Sequence, residues 1–233
     1  MQEIFDEILQ TSEFQKLKEI PDERQQFNLF ALLDDSIDEN SWSRFVTFLF
    51  NSKEKHGLGI SPFQSWWDLV EPTLPADKRT LFQFGKDFET HTKFNLPTLE
   101  GRYLDILIEV KKSNEIRAVI GIENKVDAGE QPNQIRDYQT DLCKRYVSCP
   151  KVIFFLTPDE RESKTQDSEN RECPCVSCSY KSLVEMCGKT IPRSQGEVEI
   201  LLSSMSAFLK REILGELTMN PEAKKTNSES LQE

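Results

Sequence analysis

Apolar residues fall at helical spacing in the first third of the chain, alternate or run together in the middle, and return to helical spacing after residue 180. Glu3–Leu9 and Phe14–Leu17 predict helix, Pro21 interrupts it, and Asn28–Leu33 resumes it. Trp42, Phe45, Val46 and Leu49 recur three and four apart and predict a helix over Glu39–Asn51. A loop containing His56-Gly57 follows, then a helix over Phe63–Val70 that Pro72 and Pro75 end. His91–Asn95 and the richer run Tyr103–Val110 read as strands. Lys111–Asn114 reads as a hairpin turn and Arg117–Lys125 as the returning strand, so the three form an antiparallel meander.

Asp127-Ala128-Gly129 marks a break, and Gln131–Tyr146 predicts a helix with Pro132 in its first turn. Val152–Leu156 is continuously apolar, as in a strand buried on both faces and reached by a helical crossover. The charged stretch Asp159–Arg171 reads as loop and Cys173–Ser179 as a further strand. Tyr180–Cys187 and Glu197–Leu214 read as helices. No internal repeat is visible. The fold class expected is α/β, a mixed central sheet flanked by helices, with extra N- and C-terminal helices. Residues 1–218 are expected to form one domain: 1–90 mainly helical, 91–158 the core, 159–218 a C-terminal strand and helices. Residues 219–233, mostly small, polar and charged, are expected to be a disordered tail.

The length, 233 residues, suits one domain with additions or two small ones. No run approaches the roughly 18–20 apolar residues that cross a bilayer. The acidic start Met1–Asp6 lacks a basic region followed by an apolar core, so no secretory signal is read and the cytoplasm is the expected location. There the six cysteines are expected as thiols. The net charge of −11 counts against a protein that coats nucleic acid by charge alone, because such binding rests on Lys and Arg at phosphates. It leaves room for a carboxylate cluster neutralised by divalent ions, and for a partner protein that supplies basic surface.

Two strands joined by one hairpin carry three charges. Asp105 lies inside Tyr103–Ile108, and Glu123-Asn124-Lys125 ends the apolar run Val119–Ile122. A charge in an apolar strand is expensive unless it is paired or binds metal. Glu123 and Lys125 are two apart and share a sheet face, and the turn position allows Asp105 to reach the same spot. Two close carboxylates suit Mg²⁺, which prefers hard oxygen ligands and retains waters that a phosphate oxygen can displace. Lys125 could orient water, stabilise charge or, if deprotonated, act as base. The plainer alternative is a Glu123–Lys125 surface ion pair beside an unrelated aspartate.

The flanking residues favour the first reading. Asn28-Leu29-Phe30, Glu39–Phe45, Lys55–Gly59, Gly101–Ile106, Ile122–Ala128, Glu130–Tyr138 and Phe155–Pro158 together resemble the PD-(D/E)XK nuclease superfamily, and within it a bacterial branch of small members. The Glu-Asn-Lys segment followed by the helix carrying Gln134 and Tyr138 is the specific part, and Leu104-Asp105 stands where Pro-Asp is usual. The resemblance implies a restriction-endonuclease-like core and a Mg²⁺-dependent phosphodiesterase, with Mn²⁺ able to substitute. It implies that Asp105, Glu123 and the Asn124 backbone carbonyl hold metal, with Glu39 doing so directly or through water, and that Lys125 is the catalytic lysine. Gln134 and Tyr138 are implied on the active-site helix, aimed at phosphate or at Lys125. Arg102 and Gln131 are candidates for substrate binding. Nucleic acid is the implied substrate, DNA favoured, with 5′-phosphate products and a role in defence or repair. An RNase, a nuclease needing a partner protein or a homodimer, and a silent binding scaffold are the alternatives.

Other features read more plainly. Cys173-Pro174-Cys175-Val176-Ser177-Cys178 could suggest zinc, but its spacing suits a strand with small thiols better. His56 reads as a loop-closing residue and His91 as strand surface. Trp66 and Trp67 read as core, and Lys111-Lys112 as exposed hairpin charges.

Overall fold

The computed structural model describes residues 39–85, 87–126 and 128–215. The expected N-terminal helices before residue 35 and the expected tail lie outside the described residues. The first described helix, α1 (Glu39–Phe50), buries Trp42, Val46 and Leu49 along one stripe. α2 (Ser61–Val70) begins with Pro62 in its first turn and runs into a single tight turn at Glu71–Thr73, held by Pro72. A short α3 (Ala76–Arg79) leads to the sheet.

The sheet has five strands in chain order: β1 (Glu89–Pro97), β2 (Tyr103–Lys112), β3 (Glu115–Asn124), β4 (Lys151–Thr157) and β5 (Cys175–Ser179). β1, β2 and β3 form the antiparallel meander, while β4 and β5 add in parallel. Ser113 and Asn114 join β2 to β3 with both backbones left-handed, the pairing that matches strand twist in a two-residue hairpin. The parallel step from β3 to β4 needs a crossover, supplied by α4 (Gln134–Arg145). α5 (Lys181–Thr190) and α6 (Glu197–Phe208) follow β5, and α6 ends in a wider turn at Leu209–Ile213. Among the described residues no helix is long and apolar enough to cross a membrane.

Two cores cover the sheet. On one face Ile106, Ile108, Ile120, Ile122, Phe154 and Leu156 pack against α1, α2, α5 and α6. On the other, Leu107, Val119, Ile153 and Phe155 pack against Ile135, Tyr138 and Leu142 of α4. Gly121 belongs to that second face: a Cβ there would stand 3.2 Å from Leu104 Cδ2, 3.3 Å from Ile153 Cγ1 and 3.5 Å from Leu142 Cδ1. The bare backbone leaves room for the Leu104 and Ile153 side chains of the flanking strands beneath α4.

Trp66 and Trp67, read from the sequence as core, are buried. The Trp66 ring lies 5.1 Å from that of Phe50 and 5.2 Å from that of Phe154, and its Nε1 donates to Ser182 Oγ at 3.1 Å. Trp66→Ala is therefore expected to lower unfolding free energy by about 3–5 kcal/mol, the usual range for a large buried aromatic. Urea denaturation checks this, and a loss below about 1 kcal/mol would show that the site collapses around the truncation.

The start of α4 departs from expectation. The sequence predicts helix from Gln131 with Pro132 in the first turn, but the helix begins at Gln134 because Asn133 is left-handed, with φ 60°. The cause is tertiary. Arg102 donates through Nη1 to Gln131 Oε1, through Nη2 to the Pro132 carbonyl at 2.7 Å and through Nε to Asp137 at 2.7 Å. These bonds hold the approach to α4 as a turn.

Candidate active site

β2 and β3 pair as far as Ile106 and Ile122, and there the ladder stops. In place of the next backbone bond, the Asn124 N–H donates to Asp105 Oδ2 at 2.8 Å. The alternation of β2 slips at the same point, since Leu104 packs on the α4 face and Ile106 on the α1 face. Asp105 thus occupies an opening between two strands, while β3 stays paired to β4 as far as Asn124 and Leu156. The sequence placed Asp105 and Glu123 at facing strand ends, and the broken ladder is what brings their side chains together.

Glu123 is almost fully buried, at 1 % exposure. Its Oε1 accepts from Gln134 Nε2 at 2.6 Å and lies 2.9 Å from Lys125 Nζ, whereas Oε2 is buried without a hydrogen-bond partner. Lys125 follows the strand, its own N–H bonded to the Leu156 carbonyl at 2.9 Å. Its Nζ stands 3.9 Å from Glu39 Oε2. Glu39, at the start of α1, reaches the end of β3: Oε1 accepts from the Val126 N–H at 2.7 Å and the Ala128 N–H at 3.4 Å.

Burial sets the electrostatics. It raises the Asp105 carboxyl to about 6, against the lowering effects of the Asn124 N–H and of Lys125. It raises Glu123 further, to about 8, and the charge of Asp105 adds to the rise. Burial alone would lower Lys125, but the charge and hydrogen bond of Glu123, with Glu39 and Asp105 beyond it, hold its ammonium above the usual lysine range. The pocket therefore keeps a cation and holds both carboxyls above the usual carboxylate range.

A sequence model described as the PD-(D/E)XK nuclease superfamily matches residues 27–210. The chain belongs to this superfamily. Comparison with curated proteins and with solved structures returns no match. The five-stranded mixed sheet flanked by helices is consistent with the restriction-endonuclease-like fold of PD-(D/E)XK proteins. Membership supports a nuclease-type function on a nucleic-acid substrate, in a family that usually works with divalent metal.

The donor set of this PD-(D/E)XK chain fits such an ion. Asp105 and Glu123 offer hard oxygens, and the unpartnered Glu123 Oε2 is a buried acceptor of the kind that requires an explanation. Among the described residues no three His, Cys, Asp or Glu side chains come together as a group that could hold a metal ion. A two-carboxylate site suits Mg²⁺, which commonly takes one or two carboxylates and fills its other positions with water and substrate oxygens.

The other residues that the sequence singled out divide into those at the pocket and those that shape it. Gln134 joins the pocket through Glu123, and its Oε1 accepts the Gln131 N–H at 3.1 Å. Tyr138 lies one helical turn on; its buried hydroxyl accepts from Gln134 Nε2 at 3.0 Å and donates to the Tyr103 carbonyl at 2.7 Å. That direction differs from the one the resemblance implied: the pair addresses Glu123 and the β2 backbone. Burial and the nearby Glu123 charge raise the Tyr138 hydroxyl pKa, so it remains a donor. Arg102 and Gln131 bind each other, and the bonds of Arg102 shape the turn before α4.

His56 closes its loop, Nε2 bonding the Asn51 carbonyl and Nδ1 accepting the Leu58 N–H, each at 3.0 Å. His91 bonds Glu89 at the strand surface. Cys173, Cys175 and Cys178 are free thiols on or beside β5. Reading the sequence missed two residues beside the pocket, Ser43 and Tyr180. Ser43 lies one helical turn after Glu39 and could have been found by that spacing, but nothing near Tyr180 in sequence points to a site some 56 residues away.

Proposed function

We propose that the chain is a metal-dependent nuclease that hydrolyses phosphodiester bonds, DNA being the favoured substrate, with Mg²⁺ or Mn²⁺ held by Asp105 and Glu123. One observation carries the reading: the Asp105 and Glu123 carboxyls and the Lys125 ammonium share the gap where the β2–β3 ladder opens. Bound there, the ion would polarise a phosphoryl oxygen and offset the negative charge developing on it. Lys125, held as an ammonium, donates hydrogen bonds to phosphate or water, and that proton favours the donor role over a general base. Gln134 fixes one oxygen of Glu123 and leaves the other for the ion. The Asn124 carbonyl and Glu39, directly or through water, complete the proposed set. Arg44, exposed on α1, lays its guanidinium over the Phe94 ring at 4.9 Å and offers a cation for a backbone phosphate. Phe94 pairs with Ile106, the neighbour of Asp105.

The test presents purified chain with supercoiled plasmid, linear duplex, single-stranded DNA and RNA, in Mg²⁺, Mn²⁺ or EDTA. Cleavage of DNA that needs metal and is lost in Lys125→Met is expected. Cleavage that survives in EDTA, or in Lys125→Met, would sink the proposal. The net charge of −11 favours one variation, a nuclease to which a partner protein delivers substrate. Weak binding of DNA by the isolated chain at low salt supports it, and tight binding removes it.

A further inference from the structure

Asn124 stands between Glu123 and Lys125, yet its side chain points to the opposite face of the sheet, toward α1 and α5. It is 1 % exposed, and it touches Ser43 and Tyr180, both fully buried. Its Nδ2 donates to the Glu39 backbone carbonyl at 3.0 Å and to Ser43 Oγ at 3.2 Å. The Tyr180 hydroxyl bonds Asn124 Oδ1. Chemistry fixes these directions. The Glu39 carbonyl can only accept, so the amide nitrogen must face it. The amide oxygen then faces Tyr180, whose hydroxyl must donate. A carboxylate at this position has no donor for Glu39, and an apolar residue has neither group.

Glu39 is thereby gripped twice. Asn124 holds its backbone, while Val126 and Ala128, just beyond the same strand, hold its carboxylate. The carboxylate stays beside Lys125 only while the start of α1 stays against β3. Tyr180 opens α5, so the grip extends to a helix that carries no residue of the pocket.

We infer that Asn124 and Tyr180 are positioning residues: the tyrosine orients the asparagine amide, the amide fixes the first residue of α1, and Glu39 is so held at the pocket. The inference rests on the nuclease reading only where activity is the readout. The geometric part stands without it.

Hydrogen exchange on the full chain, read by NMR, tests that part. Tyr180→Phe retains the ring and removes only the donor. The Val126 amide, protected by Glu39 Oε1, is expected to exchange about tenfold faster or more, the equivalent of losing one bond of roughly 1.4 kcal/mol. The Phe154 amide in β4 is expected to be unchanged. Asn124→Asp, which preserves the acceptor for Tyr180 but loses both donors, is expected to give the same pattern and guards against a folding failure of the first variant. Val126 protection equal to wild type in both variants would overturn the inference.

Activity supplies the second arm through a double-mutant cycle. Tyr180→Phe is expected to lower kcat about tenfold with KM unchanged, and to have no further effect in a Glu39→Gln background, because the two act as one unit. Additive losses would show that Tyr180 serves stability alone and would overturn the inference. If wild-type protein cuts nothing with any metal, the nuclease reading fails, and the exchange result alone decides this one.

Discussion

Asp105→Asn is expected to lower the cleavage rate by on the order of a thousandfold while leaving the fold intact. Asparagine retains an oxygen that can accept the Asn124 N–H, the bond that replaces the ladder at the β2–β3 gap. What it loses is charge. Asp105 and Glu123 are the two carboxylates proposed to hold the ion directly, and the variant takes one full negative charge from that pair. Transition-state stabilisation by a bound ion is worth several kcal/mol, and each 1.4 kcal/mol is tenfold in rate. Time courses of plasmid cleavage in Mg²⁺ and Mn²⁺ measure the loss, with a Mn²⁺ titration of the same samples beside them. The variant is expected to bind no Mn²⁺ at concentrations that saturate wild type, and to melt in EDTA no lower than wild type. Cleavage at the wild-type rate would show that Asp105 is no ligand.

In EDTA the protein is expected to lose stability as pH rises from about 5 to 8, and Glu123→Gln to abolish most of that slope. Burial raises the Asp105 carboxyl to about 6 and the Glu123 carboxyl to about 8. Between the unfolded values near 4 and these folded values, the native chain holds protons that the unfolded chain has released. Stability therefore falls with rising pH and levels off above the higher folded value. The shift at Glu123 corresponds to a few kcal/mol, on the order of 1.4 per unit. Glutamine has no proton to lose, so only the shallower Asp105 part below about 6 is left. Lys125 loses its nearer carboxylate in the variant, which offsets some of the gain, so the slope of melting temperature against pH is the quantity to read. Saturating Mn²⁺ is expected to stabilise wild type most at pH 8, since the ion replaces protons, and Glu123→Gln much less. A wild-type slope that persists in the variant would mean that other groups carry it.

Much of this fold was legible because its strands are strongly patterned. Tyr103–Val110, Arg117–Lys125 and Val152–Leu156 each lie within or within one residue of an observed strand, and the helical crossover makes β4 parallel, as its unbroken apolar run suggested. The start of α4 was not legible. Pro132 is favourable in a first helical turn, and what overrides it is Arg102, some 30 residues earlier. Spacing within the hairpin brought Asp105, Glu123 and Lys125 together on paper. The directions of Gln134 toward Glu123 and of Tyr138 toward the Tyr103 carbonyl depend on how α4 sits on the sheet, which periodicity does not state. Tyr180 was invisible for a related reason. Its contact with Asn124 joins two segments that share no local pattern.

A designer seeking a hardier protein would be drawn to Gly121. Glycine in a strand interior weakens it by roughly 0.5–1 kcal/mol relative to alanine, and by propensity alone a β-branched replacement stiffens the central strand. The contacts at 3.2 and 3.3 Å reverse that reasoning. Any side chain there would press on Leu104 of β2 and Ile153 of β4, and Leu104 directly precedes Asp105. The laxity of one backbone position is traded for the placement of the β2 residue beside Asp105, so thermostability sought at this site would come at the expense of turnover.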